Sequence, residues 1–239
     1  RQGYTRRLDK DCYVDFDRIF AVSDETAGVL AGVYPECQQK LSVFHNLIDT
    51  EAIRQKALLP AEKSMHEGIR LLTVGRLTPQ KGFDCAVYAL KLLLEKQYPV
   101  YWYIIGEGPE YGRLTQLARS LHVEDHFIFL GMQTNPYPYF KMADFYIHAT
   151  RFEGKSIAIQ EAQVLGCAIA ASDCSGNREQ IVSGVDGLLC PFSPEGIANA
   201  VEYLIEHPQT AQSFGRAAAQ KACHFENDIH MIRDLLYSP

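Results

Sequence analysis

Two cations enclosed by glycines follow an apolar run near the middle of the sequence. Gly75 and Gly82 flank Arg76 and Lys81. Glycine lets a backbone approach a ligand closely, and two cations at the edge of a sheet suit a diphosphate. A solvated turn with incidental charges has the same composition, so this segment by itself leaves both interpretations open.

A second cluster combines a glycine-bearing turn with two carboxylates. Glu153 and Gly154 precede a helical pattern that carries Glu161. The N–H groups and the positive dipole at the start of a helix are a common phosphate site. Glu153 can accept hydrogen bonds from hydroxyls near that phosphate, and Glu161, roughly two helical turns along, can reach another hydroxylated part of the same ligand. A surface helix with ordinary acidic residues is the alternative, and the position directly after a strand favours the ligand site.

Other motifs exclude functions or leave them weak. Residues 106–112 have the spacing G-x-G-x-x-x-G, and Glu107 would place a carboxylate beside a pyrophosphate, which argues against NAD binding. His148 ends a predicted strand, where a packed histidine is commoner than one that faces a pocket. The sequence contains neither a G-x-S-x-G nor a Walker lysine motif, so serine hydrolases and P-loop enzymes are excluded.

These clusters must be positioned by elements that alternate, from residue 69 onward, between short apolar runs and longer helical patterns. The predicted strands are 69–74, 100–105, 127–130, 145–149, 168–172 and 187–190. The predicted helices are 82–96, 110–121, 136–142, 156–165, 177–183, 194–206, 208–223 and 226–237. The alternation predicts an α/β fold, a Rossmann-like doubly wound parallel sheet with helices on both faces. Ligands bind beyond the carboxyl ends of such strands, where both clusters lie.

The first 60 residues carry a shorter pattern. Its predicted strand, helix and strand are 17–22, 24–34 and 41–44. Ser23 or Asp24 is the expected helix N-cap, and the polar segment 59–68 predicts a linker. This unit is too short for a complete domain of the same type, so we expect it to be the tail of a domain that begins earlier.

Composition narrows the class of protein. The 239 residues are 47% hydrophobic and 22% charged, as in ordinary globular domains. The formal net charge of −6 argues against a nucleic-acid partner bound through a basic face. Seven cysteines, an odd number without a C-x-x-C pair, predict reduced thiols and a cytoplasmic location. No apolar stretch reaches the roughly 18 residues that a membrane span needs.

The two clusters and several neighbouring motifs occur in an order that resembles the C-terminal domain of glycosyltransferase family 4. The matching segments are 75–77 with Lys81 and Gly82, 105–109, 129–131, 143–144, Glu153 with Glu161 in an E-x7-E arrangement, 166–172, 176–179 and 184–187. Each motif alone is weak, whereas the ordered set is specific. The resemblance covers about residues 15 to 235.

The resemblance implies a GT-B enzyme, in which two Rossmann-like domains face a cleft. Such an enzyme transfers a sugar from a nucleotide-diphosphate donor with retention of anomeric configuration. Residues 61–225 would then be the donor-binding domain, residues 1–60 the remnant of the acceptor-side domain plus a linker, and residues 226–239 a C-terminal helix that returns toward the N-terminal domain. A glycan or lipid-linked acceptor, polysaccharide biosynthesis and peripheral association of the full-length protein with the inner membrane face are also implied.

The resemblance also assigns roles to residues at three loops. The implied donor-binding residues are Gly75, Arg76, Lys81, Gly131, Glu153, Gly154, Lys155, Ser156 and Glu161. Arg76 and Lys81 would hold the diphosphate with the backbone at 154–156, and the loop after Gly131 would meet the base. Glu161 would bind the ribose and Glu153 the transferred sugar. Arg76, Lys81 and Glu153 are the implied catalytic residues, and no metal or other cofactor is expected, because the cations stabilise the departing diphosphate.

Two other functions remain open at this point. A nucleotide-sugar epimerase of the same architecture would share the donor site, and a non-catalytic nucleotide-binding module would share the sheet.

Lys155 stands where the family often has an apolar residue, so we expect it to add charge suited to an anionic donor or acceptor. Because most of the acceptor-side domain is absent, we expect a hexosyltransferase fragment with little activity of its own.

Overall fold

The computed structural model of the protein describes residues 12–222. These residues divide into two compact units, 12–47 and 48–222. The predicted C-terminal helix at 226–237 lies outside the described residues. Between residues 12 and 222, no helix combines the length and the apolar character needed to cross a membrane.

The first unit is a parallel β-α-β arrangement, as its sequence pattern predicts. It contains β1 (Ile19–Ala21), α1 (Asp24–Val33) and β2 (Leu41–Val43), and β1 pairs in parallel with β2. Ser23 is the N-cap of α1, because its hydroxyl accepts a hydrogen bond from the Thr26 N–H at 3.1 Å. Tyr34 and Cys37 pack with Ile19 to form a small buried cluster.

The second unit is built on a six-stranded parallel sheet. Its strands are β3 (Ile69–Val74), β4 (Val100–Ile105), β5 (Phe127–Gly131), β6 (Phe145–His148), β7 (Ala168–Ser172) and β8 (Leu188–Cys190). Their spatial order is β5-β4-β3-β6-β7-β8, so the chain winds outward in one direction from β3 and in the other from β6. The predicted doubly wound fold is confirmed, and the direction in which successive strands are added to the sheet reverses between β3 and β6.

Helices cover both faces of this sheet. They are α2 (Thr50–Lys56), α3 (Phe83–Glu95), α4 (Tyr111–Ser120), α5 (Tyr137–Met142), α6 (Ile157–Val164), α7 (Ser175–Arg178), α8 (Pro194–Glu206) and α9 (Pro208–Ala222). On β4, Trp102 and Ile104 pack in one core with α3 and α8, while Tyr103 and Ile105 pack in a second core with α5 and α6. Burial on both faces explains why the strands are nearly continuous in apolar residues.

Helix α2 is an element that the sequence did not predict. Asp49 caps it by accepting a hydrogen bond from the Ala52 N–H at 2.8 Å, and Ile53 packs against Val164 of α6. Ile53 is the single apolar side chain that the helix buries, so its periodicity carried little signal. Because α2 packs onto the sheet's helices, the second unit begins at residue 48, ahead of the predicted boundary near residue 60.

Helix α7 differs from its prediction at both ends. The pattern predicted a helix over 177–183, whereas the observed helix begins at Ser175 and ends at Arg178. Beyond it, the Val182 N–H donates to the Asp186 carboxylate at 2.7 Å, and Lys221 pairs with the same carboxylate at 2.8 Å. The side chain of Asp186 therefore takes a backbone donor that a longer helix would have used.

A buried hydroxyl links three strands where the strand order reverses. Backbone pairing between β3 and β6 covers two residue pairs. The Thr73 hydroxyl donates to the Ile147 carbonyl at 2.7 Å and accepts the indole N–H of Trp102 at 2.9 Å. These two bonds hold β4, β3 and β6 together close to the edge where the strands end.

Gly106, directly after β4, tests how closely the strand ends must pack. Its φ is +141°, and a Cβ there would lie 2.0 Å from the carbonyl oxygen of Gly75. We expect Gly106→Ala to lower the free energy of unfolding by about 1–3 kcal/mol or more, since roughly 1–3 kcal/mol is the usual cost of a strained backbone conformation. Urea denaturation measures this loss.

Gly112→Ala is the matched control for that substitution. Gly112 lies in α4, and nothing lies within 4 Å of the position its Cβ would take. Alanine is favoured over glycine in a helix, so stability should stay equal or rise slightly. Similar losses in the two variants would contradict the close approach at Gly106.

Candidate functional site

An ion pair joins the two loops that leave the sheet at the reversal point. Lys81 lies in the loop after β3 and Glu153 in the loop after β6, and the Lys81 Nζ donates to Glu153 Oε2. Both side chains are largely buried, with 19% and 12% of their surface exposed. Ligands of open α/β sheets bind at such a reversal, beyond the carboxyl ends of the strands.

The loop after β3 is held against the loop after β6 along its backbone. Gly82 adopts a left-handed conformation with φ of +62°, and a Cβ there would lie 2.3 Å from the Ala149 carbonyl. The backbone carbonyl of Gln80 accepts a hydrogen bond from the backbone N–H of Arg151 at 2.8 Å, and the side-chain amide of Gln80 donates to the Phe152 carbonyl at 2.9 Å. Only a residue without a side chain fits at position 82, so the glycine that the sequence singled out serves this contact.

Two buried polar side chains, Ser172 and Asn177, form hydrogen bonds that hold the loop after β6 in place. The Ser172 hydroxyl accepts the Thr150 N–H at 3.0 Å and donates to the Thr150 carbonyl at 2.5 Å. The Asn177 amide donates to the Ser172 carbonyl at 2.8 Å. A Cβ at Gly176 would lie 2.2 Å from the Glu153 carbonyl, so the start of α7 touches this loop directly.

Glu153 is an ionised carboxylate at the centre of these contacts. Burial would raise its pKa, but hydrogen bonds from His148 and Lys81 and the charge of Lys81 outweigh burial and lower the pKa to about 2. His148 lies at the carboxyl end of β6, with its Nε2 3.3 Å from Glu153 Oε2. The sequence favoured a packed histidine here, and the structure shows one that is buried and also contacts Glu153.

Glu161 has the opposite environment. It lies on α6 and accepts a hydrogen bond from the Tyr137 hydroxyl at 3.0 Å. Burial raises the pKa of Glu161, although the Tyr137 bond opposes this change. Burial and the neighbouring Glu161 raise the pKa of Tyr137 to about 12, so Tyr137 stays a hydrogen-bond donor at neutral pH. The sequence did not connect these two residues.

The start of α6 has a side-chain cap. The Ser156 hydroxyl accepts the Ile159 N–H at 3.4 Å. The orientation of the Gln180 side-chain amide that gives both its nitrogen and its oxygen a partner connects it to the Ser156 backbone. In that orientation the amide nitrogen donates to the Ser156 carbonyl and the amide oxygen accepts from the Ser156 N–H, each at 2.9 Å. The Ser156 N–H, which the family resemblance assigned to a phosphate, is therefore already bonded within the fold.

A cavity of about 480 Å³ lies at the carboxyl ends of β4 and β5. The residues that line it are Gly106, Glu107, Gly108, Tyr111, Phe129, Leu130 and Gly131. The Tyr111 and Phe129 rings meet edge to face, with centroids 5.1 Å apart. Gly106 and Gly108 also pack against the backbone of the loop after β3.

The predicted site residues thus occupy one edge of the sheet but differ in their contacts. Lys81 and Glu153 meet directly, whereas Arg76 is exposed and forms no ion pair within residues 12–222. Gly131 lines the cavity at the neighbouring strand ends. Within the same described range, no group of three or more His, Cys, Asp or Glu side chains is arranged to hold a metal ion.

A family model described as "Glycosyl transferases group 1" matches residues 54–221 of this chain. The match begins in α2 and ends in α9, so it covers almost the whole of the second unit.

Two curated proteins with named activities are similar in sequence. One is the N-acetylgalactosamine-N,N'-diacetylbacillosaminyl-diphospho-undecaprenol 4-alpha-N-acetylgalactosaminyltransferase of Campylobacter jejuni, 30% identical over 200 residues, which cover 83% of this chain and 53% of that protein. The other is glycogen synthase of Mycobacterium tuberculosis, 30% identical over 189 residues, which cover 76% of this chain and 44% of that protein. This chain spans about half the length of the curated relatives it matches.

A solved structure shows the same fold. HepE from Anabaena, crystallised in complex with UDP-glucose, superposes with a TM-score of 0.85 at 19% sequence identity. The superposition covers 98% of this chain and 67% of that chain.

Ser172 tests the support beneath the site loop. Ser172→Ala removes the closer of the two acceptors of the buried Thr150 N–H, and it also removes the hydroxyl that donates to the Thr150 carbonyl. We therefore expect a loss of about 1–3 kcal/mol in the free energy of unfolding. Ser120→Ala is the matched control, since the Ser120 hydroxyl is exposed on α4 and donates to the Leu117 carbonyl. Its effect should stay within about 0.5 kcal/mol. Urea denaturation distinguishes the two, and equal effects would contradict a structural role for Ser172.

Glu153 makes stability depend on pH in the acid range. Its pKa is lowered from 4.5 to about 2 on folding, so its ionised form stabilises the fold above about pH 4.5 and this contribution is lost as the pH falls toward 2. The difference in unfolding free energy between wild type and Glu153→Gln should therefore shrink from pH 5 to the lowest pH at which both fold. Urea denaturation at a series of pH values measures it.

Glu124→Gln is the control for this series. Glu124 is exposed, and its side chain forms no ion pair within the part of the chain that the structure describes. We expect no such trend for it. A Glu153→Gln difference that stays constant from pH 7 to pH 3 would show that the ion pair does not hold Glu153 ionised.

Proposed function

The chain belongs to the glycosyl transferase group 1 family, and from that premise we propose that it is the donor-binding part of a retaining GT-B glycosyltransferase of family 4. The proposed reaction transfers a hexose from a nucleotide-diphosphate donor to a glycan or lipid-linked acceptor. The Lys81–Glu153 pair at the reversal point of the sheet is the observation that supports it most. No contact within residues 12–222 specifically favours an epimerase or a non-catalytic module.

The proposed diphosphate site lies between the loop after β3 and the start of α6. Lys81 supplies one cation at the centre of this edge, and Arg76 supplies another from the same loop. Negative charge grows on the diphosphate as the glycosidic bond breaks, so cations held there stabilise the transition state more than the ground state. A diphosphate competes with Glu153 for Lys81, which makes the ion pair responsive to the donor. The proposed chemistry needs no metal.

The two glutamates suit two different sets of hydroxyls. Lys81 and His148 both contact Oε2 of Glu153, and Oε1 accepts no hydrogen bond from residues 12–222. We assign Oε1 to a hydroxyl of the transferred sugar. Glu161, held by Tyr137, is assigned to the ribose, since a carboxylate that accepts one hydrogen bond keeps acceptor capacity for a further donor.

The cavity at the ends of β4 and β5 is the proposed base pocket. Tyr111 and Phe129 offer an aromatic wall, and Gly131 lines the same cavity. This arrangement supports the assignment of the base to the loop after Gly131. Lys155 would add positive charge near the same ligand.

The remaining parts of the proposal concern the complete protein. The Campylobacter relative is named for a diphospho-undecaprenol-linked acceptor, which supports a lipid-linked acceptor here. A cytoplasmic enzyme that associates peripherally with the inner membrane face, with a role in polysaccharide synthesis, would meet such an acceptor. The segment 12–47 would belong to the acceptor-side domain.

Binding of nucleoside diphosphates tests this function. Isothermal titration of the chain with UDP, GDP and ADP should show one clear preference. Arg76→Ala and Lys81→Ala should each weaken that affinity roughly tenfold or more, because each removes a charge-assisted bond to the diphosphate.

Lys91→Ala is the matched control, since Lys91 pairs with Glu95 on the exposed side of α3, outside the proposed site. Its affinity should equal that of the wild type. A double variant of Arg76 and Lys81 that binds the preferred diphosphate as tightly as the parent would refute the diphosphate assignment.

A further inference from the structure

His148 is a buried histidine with a partner on each ring nitrogen. Its side chain is 2% exposed. Nε2 lies 3.3 Å from Glu153 Oε2, and Nδ1 lies 3.2 Å from the Tyr146 hydroxyl. Tyr146 is fully buried on the same strand. The ring therefore connects the strand interior to the carboxylate of the site loop.

The chemistry of these partners determines which nitrogen carries the proton. An ionised carboxylate only accepts hydrogen bonds, so Nε2 donates to Glu153. Nδ1 is then the acceptor of the Tyr146 hydroxyl, whose other acceptor, the Val74 carbonyl, lies farther away at 3.5 Å. Burial and the nearby charge of Lys81 lower the pKa of His148, although Glu153 opposes them, which keeps the ring neutral at neutral pH.

Glu153 needs this donor most when Lys81 engages another anion. Its side chain is 12% exposed, and a buried carboxylate without a donor is costly. Lys81 and His148 are its hydrogen-bond donors among the side chains of residues 12–222. If a diphosphate takes Lys81, His148 is the remaining donor on Oε2, and Oε1 keeps its direction.

We propose that His148 is a positioning residue that holds Glu153 ionised and directs its second oxygen toward the sugar of the donor. The Tyr146 hydroxyl fixes the tautomer and the ring plane that this task requires. The inference rests on the proposed function for the identity of the ligand, but the action of His148 on Glu153 is independent of any ligand.

Carbon-13 NMR titration of the Glu153 carboxyl in the full chain tests that action. The groups that face His148 are Lys81 from the loop after β3, Glu153 from the loop after β6 and Tyr146 from β6, with Glu161 of α6 near Tyr146. In His148→Leu, which removes the donor, the Glu153 midpoint should rise by roughly one to two pH units. His148→Gln, which offers an amide donor, should restore a low midpoint.

His126→Gln is the matched control, since His126 contacts the Val100 carbonyl and stacks on Tyr101 away from the site. It should leave the Glu153 midpoint unchanged. The same midpoint in wild type and His148→Leu would overturn the inference, as would an equal rise in His148→Leu and His126→Gln. His148→Gln keeps the test valid if the leucine variant does not fold. A Glu153 midpoint at or above the usual range for Glu in the His148→Gln variant would also overturn the inference.

A binding experiment extends the test to the sugar. Matched pairs are titrated, UDP with UDP-glucose, GDP with GDP-mannose and ADP with ADP-glucose. For the pair that the wild type prefers, His148→Leu should lose roughly tenfold in affinity for the nucleotide sugar and little for the nucleoside diphosphate. Equal losses for both would overturn the inference, whereas failure of the wild type to bind any nucleoside diphosphate would overturn the proposed function instead.

Discussion

The parallel pairing of β3 with β6 is the contact on which the candidate site depends. Its buried link, from Thr73 to Ile147, joins residues 74 positions apart in the chain. Since the sheet winds away from these two strands in opposite directions, the loops that follow them meet without an intervening helix. Lys81 and Glu153 become neighbours for this reason, and the ion pair between them is a consequence of strand order rather than of local sequence.

The two glutamates show how one edge of a sheet produces two carboxylates with different properties. Glu153 is surrounded by donors, which lower its pKa to about 2 despite burial. Glu161 has one hydroxyl donor, and burial raises its pKa. A ligand with two sets of hydroxyls at this edge would meet one acceptor that is ionised at neutral pH and one acceptor that a neutral donor supports.

Close backbone packing gives these side chains defined positions. Gly82 and Gly176 each touch a carbonyl of the loop after β6, and Ser172 bonds both backbone groups of Thr150. Such contacts restrict the loop before any ligand binds, so less reorganisation is needed when charge develops in a reaction. The same contacts explain why positions that bear no functional side chain still matter to the site.

The amino-acid sequence by itself determined the fold and the edge of the sheet that carries the candidate site. Strands buried on both faces must be apolar throughout, and the turns after them concentrate glycine and charge, so both signals are local. The sequence did not predict helix α2 because this helix buries a single apolar side chain. The predicted end of α7 was wrong because the Asp186 carboxylate, outside the helix, accepts a hydrogen bond from a backbone N–H that a longer helix would have used. The contacts of His148 with Glu153 and of Tyr137 with Glu161 were decided only by the tertiary structure. A hydrogen bond between side chains on separate elements depends on how those elements pack, and no periodicity along the chain records that distance.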